Sequence, residues 1–168
     1  MSVPEAVLGR HDIADAAAMH ALGRRIGEGL AAGDLVVLTG PLGAGKTTLT
    51  RGIAEGLGVR GPVQSPTFVI ARTHPSLVGG PPLVHADAYR LGSALELDDL
   101  DIDAQRSVVV VEWGRGMADA LGELWWEIEI ERPVGGGADA AAGADAGDLD
   151  ADELDADAPR IVTVSLRP

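Results

Sequence analysis

Cysteine is absent from this chain of 168 residues, and a single lysine stands beside twelve arginines. The absence of cysteine excludes a disulfide framework, a thiolate site for zinc or an iron–sulfur cluster, and a cysteine nucleophile. Long apolar runs are also missing, because none approaches the roughly 18 residues of a membrane-spanning helix, and no signal peptide is recognisable. We therefore expect a single-domain cytoplasmic protein that does not use a membrane.

Basic residues are scarce as well, and the acidic excess is uneven. A net charge of −13 would disfavour nucleic-acid binding if it were spread over the chain. Eight acidic residues and no basic one lie between Pro133 and Pro159, in a Gly-, Ala- and Asp-rich stretch. This stretch has few side chains that can bury apolar area, so residues 133–159 are predicted to be a disordered insertion. A solvated spacer and an acidic segment that occupies a basic groove of a partner both remain open.

The segments on either side of the insertion have the alternation of strands. WWEIEIE, residues 125–131, and RIVTVSLR, residues 160–167, each place apolar side chains on one face. They predict an antiparallel C-terminal hairpin with an expanded loop. Residues 1–132 and 160–168 would then form one domain.

Upstream of this hairpin, helical and strand patterns alternate. One helix is predicted from a cap at Asp12 to about Leu30, and a second from about Lys46 to Gly58. Strands are predicted at 35–39, 67–72, 83–89 and 108–112, with a short helix within 93–103. The buried stripes of the two helices are predicted to contain Met19, Leu22, Ile26 and Leu30, and Leu49, Ile53 and Leu57. The alternation predicts an α/β fold, with a mainly parallel sheet flanked by helices.

The only lysine lies in GPLGAGKTT, residues 40–48. This stretch matches the phosphate-loop pattern G-x-x-x-x-G-K-[ST] between an apolar strand and a helix. Backbone N–H groups and the helix dipole can therefore converge on phosphate oxygens. Lys46 would reach the outer phosphates as a compact ammonium, a role that the planar guanidinium of arginine does not fill in the same space. Thr47 would place its hydroxyl on Mg²⁺.

Two carboxylates are candidates for the metal and for the attacking water. Glu112 ends the apolar run VVVVE, and Asp87 ends LVHAD. Parallel strands would bring both to the carboxyl edge of the sheet, where α/β proteins bind ligands. Which of them positions the water remains open, and each alone could be a surface carboxylate.

Three further residues are weaker candidates. Thr67, in VQSPTFV, could direct its hydroxyl toward the γ-phosphate or the metal like a switch loop, and a plain turn is at least as good an interpretation. Trp113 could stack on a base or a partner, although packing is the simpler role. His85 is interpreted as a core histidine or as one that supports a neighbouring site residue, without a catalytic role.

Four stretches occur together, in order: GPLGAGKTTLTRGIAEGLG, SPTF, HADAYRL and VVVVEW. With these motifs the chain resembles the TsaE family, also called YjeE, of tRNA threonylcarbamoyladenosine biosynthesis proteins. The resemblance covers about residues 8–131 and the last strand. It implies a P-loop NTPase-like fold and a small Mg²⁺-dependent ATPase that works with TsaD and TsaB and meets tRNA indirectly, through that complex.

The resemblance also implies roles for individual residues. The ATP-phosphate loop would comprise Gly43, Ala44, Gly45, Lys46, Thr47 and Thr48. Thr47 and Glu112 would be magnesium ligands, and Lys46, Asp87 and Glu112 would be catalytic. Residues 65–67 would form a switch-like loop, and Trp113 and Arg115 would contact nucleotide or partner. Two departures from the family are the acidic insertion and Asp101, which stands where a glycine is expected.

Two other functions remain as alternatives. A small-molecule P-loop kinase needs a lid with arginines, and the candidate lid at residues 73–82 has none. A nucleotide-dependent assembly module would bind ATP with negligible hydrolysis of its own. A GTPase is disfavoured because its N-K-x-D motif requires a second lysine.

Overall fold

The computed structural model of the chain describes residues 5–41, 43–63, 71–88, 103–112, 122–132 and 158–168. After a short 3-10 turn at Glu5–Val7, these ranges contain two helices, α1 (Ala16–Gly29) and α2 (Lys46–Leu57). They also contain seven strands: β1 (Gly9–Ile13), β2 (Leu35–Thr39), β3 (Ala71–His74), β4 (Leu83–Asp87), β5 (Val108–Glu112), β6 (Trp125–Glu131) and β7 (Arg160–Arg167).

The strands form one mixed sheet in the order β1-β7-β6-β2-β5-β4-β3. Its centre is parallel, since β2 pairs in parallel with both β5 and β6, and β5 with β4. The edges are antiparallel, through β3 on one side and β7 and β1 on the other. The predicted α/β fold of the P-loop NTPase type and the C-terminal hairpin of β6 and β7 are therefore confirmed. The sheet is mixed rather than mainly parallel, because three of its six strand pairings are antiparallel.

Both faces of the central strands are buried. Every residue of strands β4 and β5 is buried. Parallel strands in the centre of a sheet are typically covered on both faces and are therefore rich in apolar side chains. On one face, α1 and α2 supply the predicted stripes: Met19, Leu22, Ile26, Leu30, Leu49, Ile53 and Leu57. A smaller cluster, which contains Leu35, Val37, Val84, Val109 and Val111, covers the opposite face. Gly58 ends α2 in the left-handed region at φ 71°, as predicted.

The predicted cap of the first helix at Asp12 is wrong. Asp12 lies in β1 opposite Ile161 of β7, and the cap is Asp15, whose Oδ1 accepts a hydrogen bond from the Ala18 N–H at 2.8 Å. The sequence of β1, GRHDI, buries only Ile13, so it lacks the apolar alternation that marks a strand. Pairing with β7, nearly 150 residues away in the sequence, makes it a strand.

Other predicted boundaries shift or lie outside the described residues. Strand β3 continues to His74, beyond the predicted end at residue 72, and β4 ends at Asp87 rather than 89. The first part of the predicted 67–72 strand, nearly all of the short helix predicted within 93–103 and all but the last two residues of the insertion predicted at 133–159 lie outside the described residues and stay predictions. No helix within the described ranges has both the length and the apolarity needed to cross a bilayer.

Glycines bring the backbones of α1 and α2 into direct contact. Gly23 and Gly27 on α1 face Gly52 and Gly56 on α2, and both pairs are four residues apart. A Cβ added at any of the four would fall on a carbonyl oxygen of the other helix, for example that of His20 in the case of Gly52. The two helices therefore pack through main-chain atoms, which only glycine permits.

We predict that Gly52→Ala lowers the free energy of unfolding by about 1–3 kcal/mol, because the new methyl group forces two backbones apart. Alanine's better helix propensity, worth about 1 kcal/mol, is not enough to offset this strain. Urea denaturation followed by circular dichroism measures the change. The control is Gly80→Ala, where the nearest atom to a new Cβ is Ser76 Oγ at 3.7 Å. Equal stability of the two variants would contradict the close packing of the helices.

Candidate functional site

The loop between β2 and α2 has the backbone of a phosphate-binding turn. Gly43 and Gly45 have positive φ angles of 74° and 104°, and Gly45 is the N-cap of α2. These are conformations that side-chain-bearing residues rarely adopt. A Cβ at Gly40 would lie 3.0 Å from the Ile130 carbonyl oxygen, so this position is also sterically restricted. The glycines of the motif thus let the chain turn tightly into the start of a helix.

Lys46 lies inside this loop. The side chain is buried, with 4% of the residue exposed, and Nζ donates hydrogen bonds to the carbonyl oxygens of Gly40 at 2.9 Å and Pro41 at 3.0 Å. Thr47, the next residue of the first turn of α2, is 3% exposed. An ammonium and a hydroxyl are therefore held at the positive end of a helix dipole, which is an arrangement suited to an anion.

The two predicted carboxylates lie side by side. Asp87 and Glu112 are register partners at the ends of the parallel strands β4 and β5, and both are buried. Side chains two residues apart on a strand share a face, so Glu112 lies on the same face as Val110, which belongs to the core under the helices. Asp87, the register partner of Glu112, lies on that face too. Both carboxylates therefore lie on the face of the sheet that carries α2, at its carboxyl edge. The expectation that the parallel strands bring them together is met.

His85 is the hydrogen-bonding partner of Glu112. Its Nε2 lies 3.1 Å from Glu112 Oε1, with the imidazole fully buried. With the carboxylate of Glu112 as the acceptor, Nε2 of His85 is the donor. Within the described part of the chain, Nδ1 is buried without a hydrogen-bond partner. The sequence placed His85 in the core, and the structure adds that it fixes the orientation of the Glu112 carboxylate.

A second buried histidine lies on the neighbouring strand. Burial lowers the pKa of His74, and the positive charges that His85 and Arg72 can carry act in the same direction. The hydrogen bond between Nδ1 and the Arg60 carbonyl oxygen, at 3.1 Å, opposes this shift only in part. A neutral ring at physiological pH is the expected state of His74.

Arg160 is a residue of this site that sequence reasoning missed. It begins β7 and donates hydrogen bonds to the carbonyl oxygens of Gly43 and Ala44, both at 3.1 Å. The contacting residues are separated by 116 and 117 positions in the chain. No local pattern signals such a contact, and the only hint in the sequence is an arginine at the first position of an apolar strand.

Several predicted site residues lie outside the described part of the structure. Asp101, the departure from the family, lies outside it too. The predicted site residues outside it are Thr67 and the rest of the switch-like stretch at 65–67, Trp113 and Arg115. Their predicted contacts with nucleotide, metal or partner stay predictions.

The oxygen atoms at this edge suit magnesium. Mg²⁺ usually takes one or two carboxylates, keeps several waters and shares phosphate oxygens with its nucleotide. The hydroxyl of Thr47 and the buried carboxylates of Asp87 and Glu112 supply that kind of donor set. Among the described residues there is no cluster of three or more His, Cys, Asp or Glu side chains that could hold a metal without a nucleotide.

Comparison with known proteins gives matches over most of the chain. A sequence model of the family described as "Threonylcarbamoyl adenosine biosynthesis protein TsaE" matches residues 13–136. The tRNA threonylcarbamoyladenosine biosynthesis protein TsaE of Streptomyces coelicolor is 62% identical over 124 residues, which are 72% of this chain and 84% of the relative. The protein of the same name from Mycobacterium tuberculosis is 54% identical over 120 residues, or 66% and 71% of the two chains.

A solved structure is similar over nearly the whole fold. The crystal structure of Bacillus subtilis YdiB superimposes with a TM-score of 0.62 and 29% sequence identity. The match covers 92% of this chain and 82% of that chain.

We predict that His85→Leu lowers the free energy of unfolding by about 2–3 kcal/mol, because it removes a hydrogen-bond donor from a buried carboxylate. The matched control is His20→Leu. His20 Nε2 lies 3.0 Å from Glu55 Oε2, but both side chains are well exposed, so we expect a loss of at most about 1 kcal/mol. Urea denaturation at pH 8 compares the two variants. Similar small losses in both would contradict a structural link between His85 and Glu112.

Proposed function

The chain belongs to the TsaE family of tRNA threonylcarbamoyladenosine biosynthesis proteins, and on that basis we propose that it binds and hydrolyses Mg²⁺-ATP. The proposed ATPase acts in the cytoplasm with TsaD and TsaB, and meets tRNA through their complex. The observation that carries the proposal is the glycine turn that ends in α2 with the Lys46 ammonium held inside it.

The phosphate loop supports binding of the nucleotide. Backbone N–H groups at the start of α2 and the Lys46 ammonium neutralise the outer phosphates, and they need little rearrangement because the loop is already folded. A lysine fits because its ammonium is compact enough to lie inside the turn, where two loop carbonyls already hold it. The larger planar guanidinium of an arginine would displace the glycine turn.

The carboxyl edge of the sheet supports hydrolysis. Thr47 and Glu112 would hold Mg²⁺, which when bound polarises the phosphate oxygens and neutralises developing charge. The hydrogen bond from His85 engages Oε1 of Glu112, so Oε2 is the oxygen we expect to face the metal or its water. Asp87 lies beside Glu112 and is the second carboxylate available to orient the attacking water.

The geometry of the β3–β4 connection disfavours a kinase. Its backbone pairs with the C-terminal end of α2, where the Leu77 N–H donates to the Gly58 carbonyl oxygen at 2.8 Å. The phosphate loop is at the opposite end of the same helix. A helix of 12 residues is about 18 Å long, so this connection lies far from the phosphates and does not act as a lid over them.

We predict that Lys46→Ala lowers the affinity for Mg²⁺-ATP by about 100-fold or more, since a charge-assisted contact is worth up to about 3 kcal/mol. Lys46→Arg should lose binding as well, because the guanidinium does not fit the turn. Isothermal titration calorimetry measures both. The control is Arg10→Ala, which removes an exposed cation on β1 and should leave the affinity within about twofold. Unchanged binding in Lys46→Ala would remove the basis of the proposal.

The decisive experiment combines the chain with purified TsaD, TsaB and tRNA. We predict that ATP hydrolysis and repeated rounds of tRNA modification appear together, and that both disappear in Glu112→Gln, which should still bind ATP at low magnesium. Labelled phosphate release and nucleoside chromatography give the two readouts.

The same experiment separates the alternatives. Repeated modification that needs ATP but no hydrolysis would identify an assembly module instead of an ATPase. ATP consumption that starts only when a small-molecule acceptor is added would identify a kinase.

A further inference from the structure

Arg160 is buried, with 6% of the residue exposed, although arginine seldom is unless its charge is compensated. Among the described residues, four backbone carbonyl oxygens accept hydrogen bonds from its guanidinium. Nε donates to Ala44 and Nη2 to Gly43, both at 3.1 Å, while Nη1 donates to Ala158 at 3.0 Å and Pro159 at 3.2 Å. One cation thus joins the middle of the phosphate loop to the residues where the chain enters β7.

These contacts fix the direction of two peptide units of the loop. In a planar trans peptide the carbonyl and the N–H point in opposite directions. When Arg160 holds the Ala44 carbonyl, the N–H of Gly45 in the same peptide is directed to the other side. The peptide that carries the Gly43 carbonyl has its N–H on Ala44, and this N–H closes a turn onto the Pro41 carbonyl oxygen at 3.1 Å.

Lys46 and Arg160 bind different carbonyl oxygens of the phosphate loop. The lysine holds the carbonyl oxygens of Gly40 and Pro41 from inside the turn, and the arginine holds those of Gly43 and Ala44. The ammonium is the group proposed to bind phosphate, whereas the guanidinium binds the carbonyl oxygens just before the helix cap. Its planar fork can bridge two adjacent carbonyl oxygens in a fixed geometry, and a single ammonium lacks that geometry.

We propose that Arg160 is a positioning residue of the phosphate loop, which holds Gly43 and Ala44 in the conformation that binds ATP. This inference rests on the proposed ATP-binding function. Its described contacts with the loop are with carbonyl oxygens, so we expect it to act on the population of the binding-competent loop. If losing the guanidinium reduces that population to between a tenth and a hundredth, the affinity for ATP falls by about 10- to 100-fold.

The test compares Arg160→Gln, Arg160→Lys and the control Arg167→Gln. Arg167 lies on the same strand, but its Nε donates to Glu127 Oε2 at 2.7 Å, away from the loop. Calorimetry with a non-hydrolysable Mg²⁺-ATP analogue gives the affinity, and urea denaturation establishes that each variant is folded under the assay conditions. Steady-state kinetics with TsaD, TsaB and tRNA adds KM and kcat.

We expect the affinity to fall at least tenfold in Arg160→Gln, to fall less in Arg160→Lys, and to stay within twofold in Arg167→Gln. KM for ATP should rise while kcat at saturating ATP stays within about threefold, a separation that general destabilisation of a folded variant does not produce. Should Arg160→Gln fail to fold, Arg160→Lys, which keeps the charge and most of the volume, decides by the same measurements.

An affinity within twofold of wild type in folded Arg160→Gln, or in Arg160→Lys when that variant decides, would overturn the positioning role and leave the proposed function standing. A kcat that falls tenfold with unchanged KM would overturn it as well. Absence of ATP binding in the wild-type chain would overturn the proposed function and this inference together.

Discussion

The carbonyl oxygens of the phosphate loop need donors inside the protein, because Gly40, Gly43 and Ala44 are buried. Two cations supply them. Lys46 binds the first two residues of the motif from within, and Arg160 binds the two residues before the helix cap. One of these cations is local and the other comes from the last strand, so the shape of the loop depends on the completed sheet.

The register of the parallel strands β4 and β5 determines where the two carboxylates of the site lie. Because Asp87 is paired with Glu112, and α2 covers the face on which both lie, carboxylates and phosphate loop meet at one edge. His85 extends this arrangement into the core, where its imidazole fixes one oxygen of Glu112. A shift of one residue between β4 and β5 would turn the carboxylates to opposite faces.

Local patterns predicted the parts of the fold that local forces determine. The phosphate loop, both helical stripes, the Gly58 cap and the ends of β2, β5, β6 and β7 follow from spacing and periodicity, and the structure has them. Strand β1 was not predicted, because four of its five residues are polar or glycine. For the same reason Asp12 was interpreted as a helix cap. The contact of Arg160 with the phosphate loop and the contact of His85 with Glu112 were not predicted, because each joins residues that are distant in sequence.

The first strand also determines how far the chain can be shortened at its beginning. Ile13 of β1 is paired with Arg160, and Met19 of α1 lies against Gly45 at the helix cap. Residues 9–13 therefore support the strand whose first residue holds the phosphate loop, although their own sequence is mostly polar. A truncation that starts at the helix would expose the edge of β7 and loosen the anchor of the loop, and a bulky tag is better placed ahead of Glu5 than within the strand.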